Sequence, residues 1–237
     1  MKTPIINQSN IISGISFIPV FLPEQRIGSL RQRSYVDNKK AYFAFKRVFD
    51  ITISILFITF ILSWVSFIIA FFIILDSRGP VFFVQKRVGK TGRSFPCFKF
   101  RTMIINSEAD KKRAETDDPR ITPVGKILRR YNFDEFPQFA NVLLGHMSLV
   151  GPRPHMHADC SAFSQSIRGY KFRTFVKPGI TGLAQAKGFH GPVTDQELIA
   201  RRFEWDAYYV RHASIDLDLK IIQATAYRRI KLLFSPS

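Results

Sequence analysis

The longest hydrophobic run of the chain lies between residues 51 and 75, ITISILFITFILSWVSFIIAFFIIL, and contains no charged residue. Its length exceeds the roughly 20 apolar residues that a helix needs to cross the hydrocarbon core of a bilayer. A helix on the core of a soluble protein usually keeps a polar face, which this run lacks. The pattern therefore predicts a helix that inserts into a membrane.

Both flanks of this run are basic. Lys39, Lys40, Lys46 and Arg47 precede it, and residues 77–106 carry seven Lys or Arg and no Asp or Glu. Because an excess of Lys and Arg marks cytoplasmic segments, both ends favour the cytoplasmic side. A re-entrant helix-break-helix, which enters and leaves by one face, satisfies both ends. We expect the break at residues 63–66, since serine hydroxyls can bond carbonyls freed at a kink. The alternative is a plain single span with a short extracytoplasmic tail.

Two short β-prone runs follow, separated by a turn. Residues 81–84 form the first, residues 88–93 supply the turn, and residues 95–103 alternate Phe with basic positions. The period of two predicts a small β-hairpin with Lys99 and Arg101 on one face. Arg87 comes from the partner strand. Such a basic ribbon could hold a phosphate group or rest on lipid headgroups, and the sequence leaves both open.

Helical patterns dominate the rest of the chain. Thr122 and Pro123 are a natural N-cap and first residue for a helix that runs to Arg130. Asn132 is expected to cap the next helix, and residues 106–117 read as a polar helix. Thr194 begins a capping box, and residues 215–234 are amphipathic. These last two helices either lie at a membrane interface or pack in the core.

Candidate chemistry centres on the adjacent acids Asp134 and Glu135. Acids in the first turn of a helix often only complement its dipole. Here the same helix end would also attract phosphate, and Arg129 lies one turn upstream. Because adjacent helical residues point about 100° apart, one acid can attack a phosphorus while the other holds a metal or moves a proton.

The composition indicates what kind of partner the protein binds and in which cellular compartment it lies. The 237 residues include 35 Lys and Arg against 18 Asp and Glu, a net charge of +17. This balance implies an anionic partner, which could be nucleic acid, anionic lipid or a phosphorylated small molecule. The chain has only two cysteines and no C-x-x-C motif, which favours a reducing cytosolic environment.

The expected architecture is α+β and mostly helical, with three parts. Residues 1–45 form a basic extension that is flexible or lies on the membrane surface. Residues 46–76 form the membrane-inserted, re-entrant helix. Residues 77–237 form a catalytic domain at the cytoplasmic face, in which interfacial amphipathic helices and the small β-hairpin surround an active site.

Nine motifs in this order, over about 180 residues, resemble the bacterial sugar transferases, the monotopic polyprenyl-phosphate phosphoglycosyl transferases. Residues 1–45 lie outside the resemblance, and the rest is similar to the family's minimal catalytic unit. The motifs are KRVFD from Lys46, GPVFFVQ from Gly79, RVG from Arg87, KFRTM from Lys99, DPRIT from Asp118, DEFPQ from Asp134, MSLVGPRPH from Met147, KPGITG from Lys177 and DLDLKI from Asp216.

The resemblance implies a reaction: transfer of a sugar-1-phosphate from a UDP-sugar to undecaprenyl phosphate, with release of UMP. It implies that Asp134 is the nucleophile, that an aspartyl phosphosugar forms, and that Glu135 is the partner acid associated with Mg²⁺, beside Asp134. The expected phosphate- or substrate-binding residues are Arg129, Arg153, Lys99, Arg101, Lys177 and Arg87. It places the site at the cytoplasmic face of the bacterial inner membrane, involves membrane lipids but no nucleic acid, and leaves a homo-oligomer open.

The chain departs from the family pattern at three places. Ser63-Trp64 replaces the usual Ser-Pro at the membrane break, His146 replaces a frequent acid, and His190 replaces a common arginine. The Gly-Pro-Arg-Pro-His sequence is most similar to members that transfer glucose- or galactose-1-phosphate. Two alternatives remain at this point: a membrane-anchored module that binds anionic lipid or nucleic acid without catalysis, and a family member that has lost activity.

Overall fold

The computed structural model describes residues 36–105, 118–189 and 196–234. The apolar segment forms one long helical stretch, made of α1 (Lys40–Phe57), a π-helical turn (Ile58–Leu62) and α2 (Ser63–Asp76). Among the described residues it is the one helix long and apolar enough to cross a membrane, and only 17% of its most apolar portion is buried. Phe60, Trp64 and Phe67 expose most of their surface. One face in the middle of this helix is therefore not covered by the protein core.

The structure does not show the expected break at residues 63–66. These residues are α-helical, and the irregularity is the π turn immediately before them. Ser63 Oγ donates a hydrogen bond to the Thr59 carbonyl at 2.6 Å. The serine therefore acts on the backbone as expected, but it bonds a carbonyl inside the π turn, and the chain stays helical through Ser66.

The expected β-hairpin is confirmed, with shifted ends. Strands β1 (Phe82–Val88) and β2 (Ser94–Phe100) pair antiparallel, with Phe83 opposite Lys99 and Arg87 opposite Phe95. Arg101 lies just past the end of β2. Lys99 and Arg101 therefore do not share one strand face, because the strand ends between them.

The turn that carries the acid pair follows helix α3 (Pro123–Tyr131). Thr122 caps α3 as expected, since its side-chain oxygen accepts the Gly125 N–H at 3.0 Å. Asn132 is not the expected N-cap of a long helix. It ends α3 in the left-handed conformation, with φ at 58°. A single 3₁₀ turn (Phe133–Glu135) follows, and the short helix α4 (Gln138–Leu143) begins after Pro137.

The remaining elements build a mostly helical body, as expected. They are β3 (Ser148–Val150), α5 (His157–Ser166), a 3₁₀ segment (Tyr170–Phe175), β4 (Gly179–Thr181), α6 (Leu183–Ala186), α7 (Gln196–His212) and α8 (Ile215–Phe234). Strands β3 and β4 pair in parallel, a contact that the sequence did not indicate. The main core lies between β3, α7 and α8 and includes Tyr209, Met147 and Ile221. The polar helix at 106–117, the capping box at Thr194 and His190 lie outside the described residues.

Three basic side chains at the first end of the long helix attach it to the body. Lys39 Nζ donates to the carbonyls of Arg211 and Ala213 at the end of α7, at 2.8 and 2.9 Å. Lys46 Nζ lies 2.7 Å from Asp218 Oδ2 on α8. Arg47 donates to the Val142 carbonyl at the end of α4. Three of the four basic residues before the apolar run therefore bind the body.

The same body holds the other end. Asp76 Oδ2 accepts the Val124 N–H of α3 at 3.2 Å. Arg101 donates to the Ser77 carbonyl at 2.6 Å, just after α2. Between the two ends, the ring of Phe57 stacks on Phe139 with centroids 3.9 Å apart. Both ends and one side of the helix therefore contact a single body.

Candidate active site

The acid pair lies buried at the 3₁₀ turn after α3, where Asp134 and Glu135 retain 6% and 5% of their exposure. Lys99 reaches both acids from β2: its Nζ lies 2.7 Å from Glu135 Oε1 and 3.4 Å from Asp134 Oδ2. The hairpin therefore brings a cation to the acid pair, a contact that the sequence did not indicate.

Two cations fix Glu135. Arg153 donates through one nitrogen to Oε2 at 3.1 Å and through the other to Oε1 at 2.5 Å, in addition to the contact with Lys99. Burial alone would raise the pKa of Glu135, but the Arg153 guanidinium and the Lys99 ammonium hold it well below its ordinary value. Glu135 is thus a carboxylate locked in position.

Asp134 is held more loosely. Burial raises the pKa of Asp134 above its ordinary value, and the charges of Lys99 and Arg129 offset this only in part. Its contact with Lys99 at 3.4 Å is long for a charge-assisted hydrogen bond. The two acids therefore differ in how they are held: Glu135 is anchored by two cations, and Asp134 has one long contact with Lys99.

A cavity of about 1180 Å³ opens over the pair. Nine Lys or Arg side chains of the described ranges line it, and its apolar wall includes Phe49, Ile53 and Phe57 of α1. Arg129 and Arg87 are both on this lining. Arg129 Nε donates to Thr102 Oγ1 at 2.8 Å, and Arg87 bonds Gln85 Oε1. Most of the predicted phosphate-binding residues thus share one cavity with the acids.

Two predicted binding residues are placed differently. Arg101 borders the cavity, but its guanidinium donates to the carbonyls of Ser77, Arg78 and Ile73, so it holds the end of α2. Lys177 lines a separate cavity of about 120 Å³ together with Arg47 and Lys90. Arg101 is therefore occupied by the backbone, and Lys177 does not share the cavity of the acid pair.

His146 also lies away from the acids. Its ring packs against Phe95 with centroids 5.7 Å apart, and its backbone N–H donates to the Asn141 carbonyl. It is not part of the lining of the acid-pair cavity among the residues that the structure describes. The departure from the family pattern at His146 therefore does not change the lining of this cavity.

Sequence reasoning missed four arginines of the cavity: Arg120, and three on the last two helices, which are Arg202 on α7 and Arg228 and Arg229 on α8. Burial, followed by the nearby charge of Arg153, lowers the pKa of Arg202 to about 10. The only signal in the sequence was the basic character of these two helices. It could not indicate which basic residues face the acids.

The two acids fit a magnesium ion only together with a ligand. Mg²⁺ commonly takes one or two carboxylates and fills its octahedron with water and substrate phosphates. Asp134 and Glu135 supply two carboxylates beside the cavity, and no group of three or more His, Cys, Asp or Glu suited to a metal occurs in the ranges described. This donor set matches a metal that arrives with a diphosphate.

The site thus combines two buried carboxylates and many cations with a long apolar helix beside them, an arrangement suited to an anionic ligand. Residues 41–231 match the family described as "Bacterial sugar transferase", and the chain belongs to this family.

Three relatives are informative. The "UDP-glucose:undecaprenyl-phosphate glucose-1-phosphate transferase" of Klebsiella pneumoniae is 45% identical over 185 residues, 78% of this chain and 40% of the relative. The "UDP-N-acetylgalactosamine-undecaprenyl-phosphate N-acetylgalactosaminephosphotransferase" of Aeromonas hydrophila is 40% identical over 223 residues, 89% of this chain and 52% of the relative. The "Exopolysaccharide production protein PSS" of Rhizobium leguminosarum bv. phaseoli is 45% identical over 186 residues, 76% of this chain and 92% of the relative. The chain thus spans about half or less of the first two.

Proposed function

We propose that the chain is a phosphoglycosyl transferase that moves a sugar-1-phosphate from a UDP-sugar to undecaprenyl phosphate. The observation that carries this proposal is the difference between the two buried acids: Glu135 is fixed by Lys99 and Arg153, while Asp134 faces the same cavity with one long contact. The activities named for the relatives supply the donor and acceptor classes. A lipid- or nucleic-acid-binding module would have no use for such an arrangement.

In the first step, an oxygen of Asp134 attacks the sugar-linked phosphorus of the UDP-sugar. A bond forms between this oxygen and the phosphorus, the bond to the bridging oxygen breaks, and UMP leaves with that oxygen and its electrons. In the second step, a phosphate oxygen of undecaprenyl phosphate attacks the same phosphorus. The Asp134 carboxylate is released, and undecaprenyl diphosphate-sugar is the product.

Three cations beside the acid pair stabilise charge during both steps. Negative charge develops on the phosphoryl oxygens and on the leaving phosphate, and fixed cations that need no rearrangement lower its free energy. Lys99 lies between the two acids, and Arg129 and Arg153 flank them. Asp134 and Glu135 would hold Mg²⁺, which supplies further charge neutralisation on the donor diphosphate when bound.

The proposal places this reaction at the cytoplasmic face of the bacterial inner membrane, with the long helix re-entrant. In support, the cavity wall includes Phe49, Ile53 and Phe57, so an apolar tail can pass from the membrane helix to the acids. The product is a lipid-linked sugar, which further glycosyl transfer must extend. The name of the Rhizobium relative favours exopolysaccharide as the glycan assembled.

The test is a donor panel with purified chain in detergent. UDP-glucose, UDP-galactose and UDP-N-acetylgalactosamine are each supplied with undecaprenyl phosphate and Mg²⁺, and UMP release is measured. We expect release from at least one donor, loss of release on chelation of Mg²⁺, and no release by Asp134→Asn. Glu135→Gln should form less of the covalent adduct, because its neutral amide cannot make ion pairs with Lys99 and Arg153.

The control is Asp216→Asn, a change at an exposed acid on α8 that pairs with Lys220 across one helical turn. It removes the same charge away from the cavity and should turn over like the unchanged chain. UMP release by Asp134→Asn at the unchanged rate would disprove the proposal. Turnover of the unchanged chain that depends neither on undecaprenyl phosphate nor on any donor would also disprove it.

A further inference from the structure

One face of α8 runs along the acid-pair cavity. Ile222, Thr225, Ala226 and Arg229 all line it, and their spacing of three and four residues puts them on one side of the helix. From the first to the last of them the helix rises about 10 Å. This stripe, defined as these four residues, is apolar or uncharged at its start and cationic at its end.

The two ends of the stripe border different parts of the molecule. Asp218, one turn before Ile222, pairs with Lys46 of α1, and Phe49 and Ile53 of α1 line the same cavity as Ile222. The stripe therefore begins beside the membrane helix. At its other end, Arg229 lines the same cavity as Glu135 and Asp134. The stripe leads from the apolar helix toward the acid pair.

Arg229 differs from its neighbour Arg228. Arg228 donates to the carbonyls of Gln185 and Ala186, at 3.3 and 3.0 Å, and so holds α6 against α8. Arg229 is half-buried, yet its guanidinium makes no hydrogen bond or ion pair with any residue in 36–105, 118–189 or 196–234. A partly desolvated guanidinium with five unused donors favours an anionic partner.

We infer that Arg229 binds the phosphate of the lipid acceptor, and that the stripe guides the acceptor's apolar tail toward α1. The donor is the weaker candidate, because its uridine and sugar are polar while the surface that leads to Arg229 from Ile222 is apolar. An amphiphile with one phosphate and a long hydrocarbon chain matches both ends. This inference rests on the proposed function and assigns one subsite within it.

The two half-reactions separate donor from acceptor binding. Exchange of labelled UMP into UDP-sugar needs the donor and Asp134 but no lipid, whereas full turnover needs undecaprenyl phosphate. We expect Arg229→Gln to leave the exchange rate and the KM for UDP-sugar unchanged, and to raise the KM for undecaprenyl phosphate about tenfold or more, as expected for the loss of a hydrogen-bonded charge. Arg229→Lys should recover part of this loss, because it keeps the charge but not the fork.

The matched control is Lys231→Gln, which removes one positive charge from the exposed side of the same helix. It should leave both KM values unchanged, and the melting temperature of each variant reports on folding. An unchanged KM for undecaprenyl phosphate in folded Arg229→Gln overturns the inference, and so does an equal loss of UMP exchange, which would assign Arg229 to the donor. Absence of exchange in the unchanged chain would instead contradict the proposed function.

Discussion

Arg153 connects the acid pair to a second, fully buried ion pair. Its carbonyl accepts a hydrogen bond from Arg173 at 2.7 Å, and Arg173 in turn lies 2.8 Å from Asp206 of α7. Its own side chain reaches Glu135 through two nitrogens. Because the backbone and the side chain of Arg153 are both fixed, Glu135 is held from a rigid support rather than from a mobile loop. The buried pair therefore contributes to the site through the position of Arg153.

The fork of Arg153 gives a prediction at the residue scale. Arg153→Lys keeps the positive charge but offers one nitrogen in place of two, so one contact to Glu135 is lost. A hydrogen bond to a charged group contributes about 1.5–3 kcal/mol, so we expect the rate of UMP release to fall about tenfold to a hundredfold. Initial rates at saturating UDP-sugar measure this effect.

Arg168→Lys is the control for this variant. Arg168 is exposed, and the substitution makes the same change of side chain away from the cavity. It should behave as the unchanged chain. If Arg153→Lys releases UMP at the same rate as Arg168→Lys, the two-point grip on Glu135 has no role in turnover.

Helix α3 approaches the end of β2 so closely that only glycine fits at the contact. A Cβ on Gly125 would lie 2.1 Å from the Thr102 carbonyl oxygen. Arg129, one turn later on α3, donates to the Thr102 hydroxyl, and the acid pair follows at the end of the helix. The contact at Gly125 therefore sets the distance between the hairpin, which carries Lys99, and the acids.

Gly125→Ala tests this at the scale of the element. Alanine in a helix is favoured over glycine by about 1 kcal/mol, but a clash with backbone cannot be relieved by a side-chain movement, and overpacking costs about 1–3 kcal/mol. We expect the clash to prevail, so that the melting temperature and the rate of UMP release both fall. Lys126→Ala, an exposed change on the same helix, should leave both close to their original values. A more stable and fully active Gly125→Ala would show that α3 can shift without harm.

Local signals predicted the elements better than the contacts between them. Thr122 and Pro123 predicted the start of α3 correctly, because a helix cap is formed by residues that are neighbours in sequence. Asn132 was misassigned because asparagine suits both an N-cap and the left-handed end of a helix. The parallel pairing of β3 and β4 could not be predicted, because strands of three residues are too short to show an alternating pattern. The two strands also approach closely at glycines: a Cβ on Gly179 would lie 2.1 Å from Gly151 N. Because this pairing was not predicted, the position of Lys177, next to β4, was not predicted either.

At the scale of the whole molecule, the long helix was predicted from its composition, but its attachment was not. Lys39 and Arg211, for example, are 172 residues apart in sequence, and no local pattern links them. The basic flank was interpreted as a signal for topology, and the structure shows that Lys39, Lys46 and Arg47 also fasten the helix to α4, α7 and α8. One set of charges can serve both roles, since cations suit the carbonyl ends of helices.

This attachment favours the re-entrant arrangement and leads to a prediction of topology. A straight helix of 37 residues would be about 55 Å long, well beyond the roughly 30 Å of the hydrocarbon core. Yet Lys46 and Asp76 at its two ends bind α8 and α3 of one body. A spanning helix would require this body to contact both faces of the membrane. The π turn at Ile58–Leu62, in the exposed middle, is the natural place for a bend.

We therefore expect Asn38→Cys and Lys86→Cys, one on each side of the apolar segment, to lie on the same side of the membrane. Intact spheroplasts are treated with a membrane-impermeant maleimide, and the unchanged chain, with Cys97 and Cys160, gives the background. Neither variant should gain label until the membrane is permeabilised, after which both should, because both positions are exposed. Labelling of Asn38→Cys alone in intact spheroplasts would show a single span, and the attachments at the two ends would then have to be rearranged in the membrane.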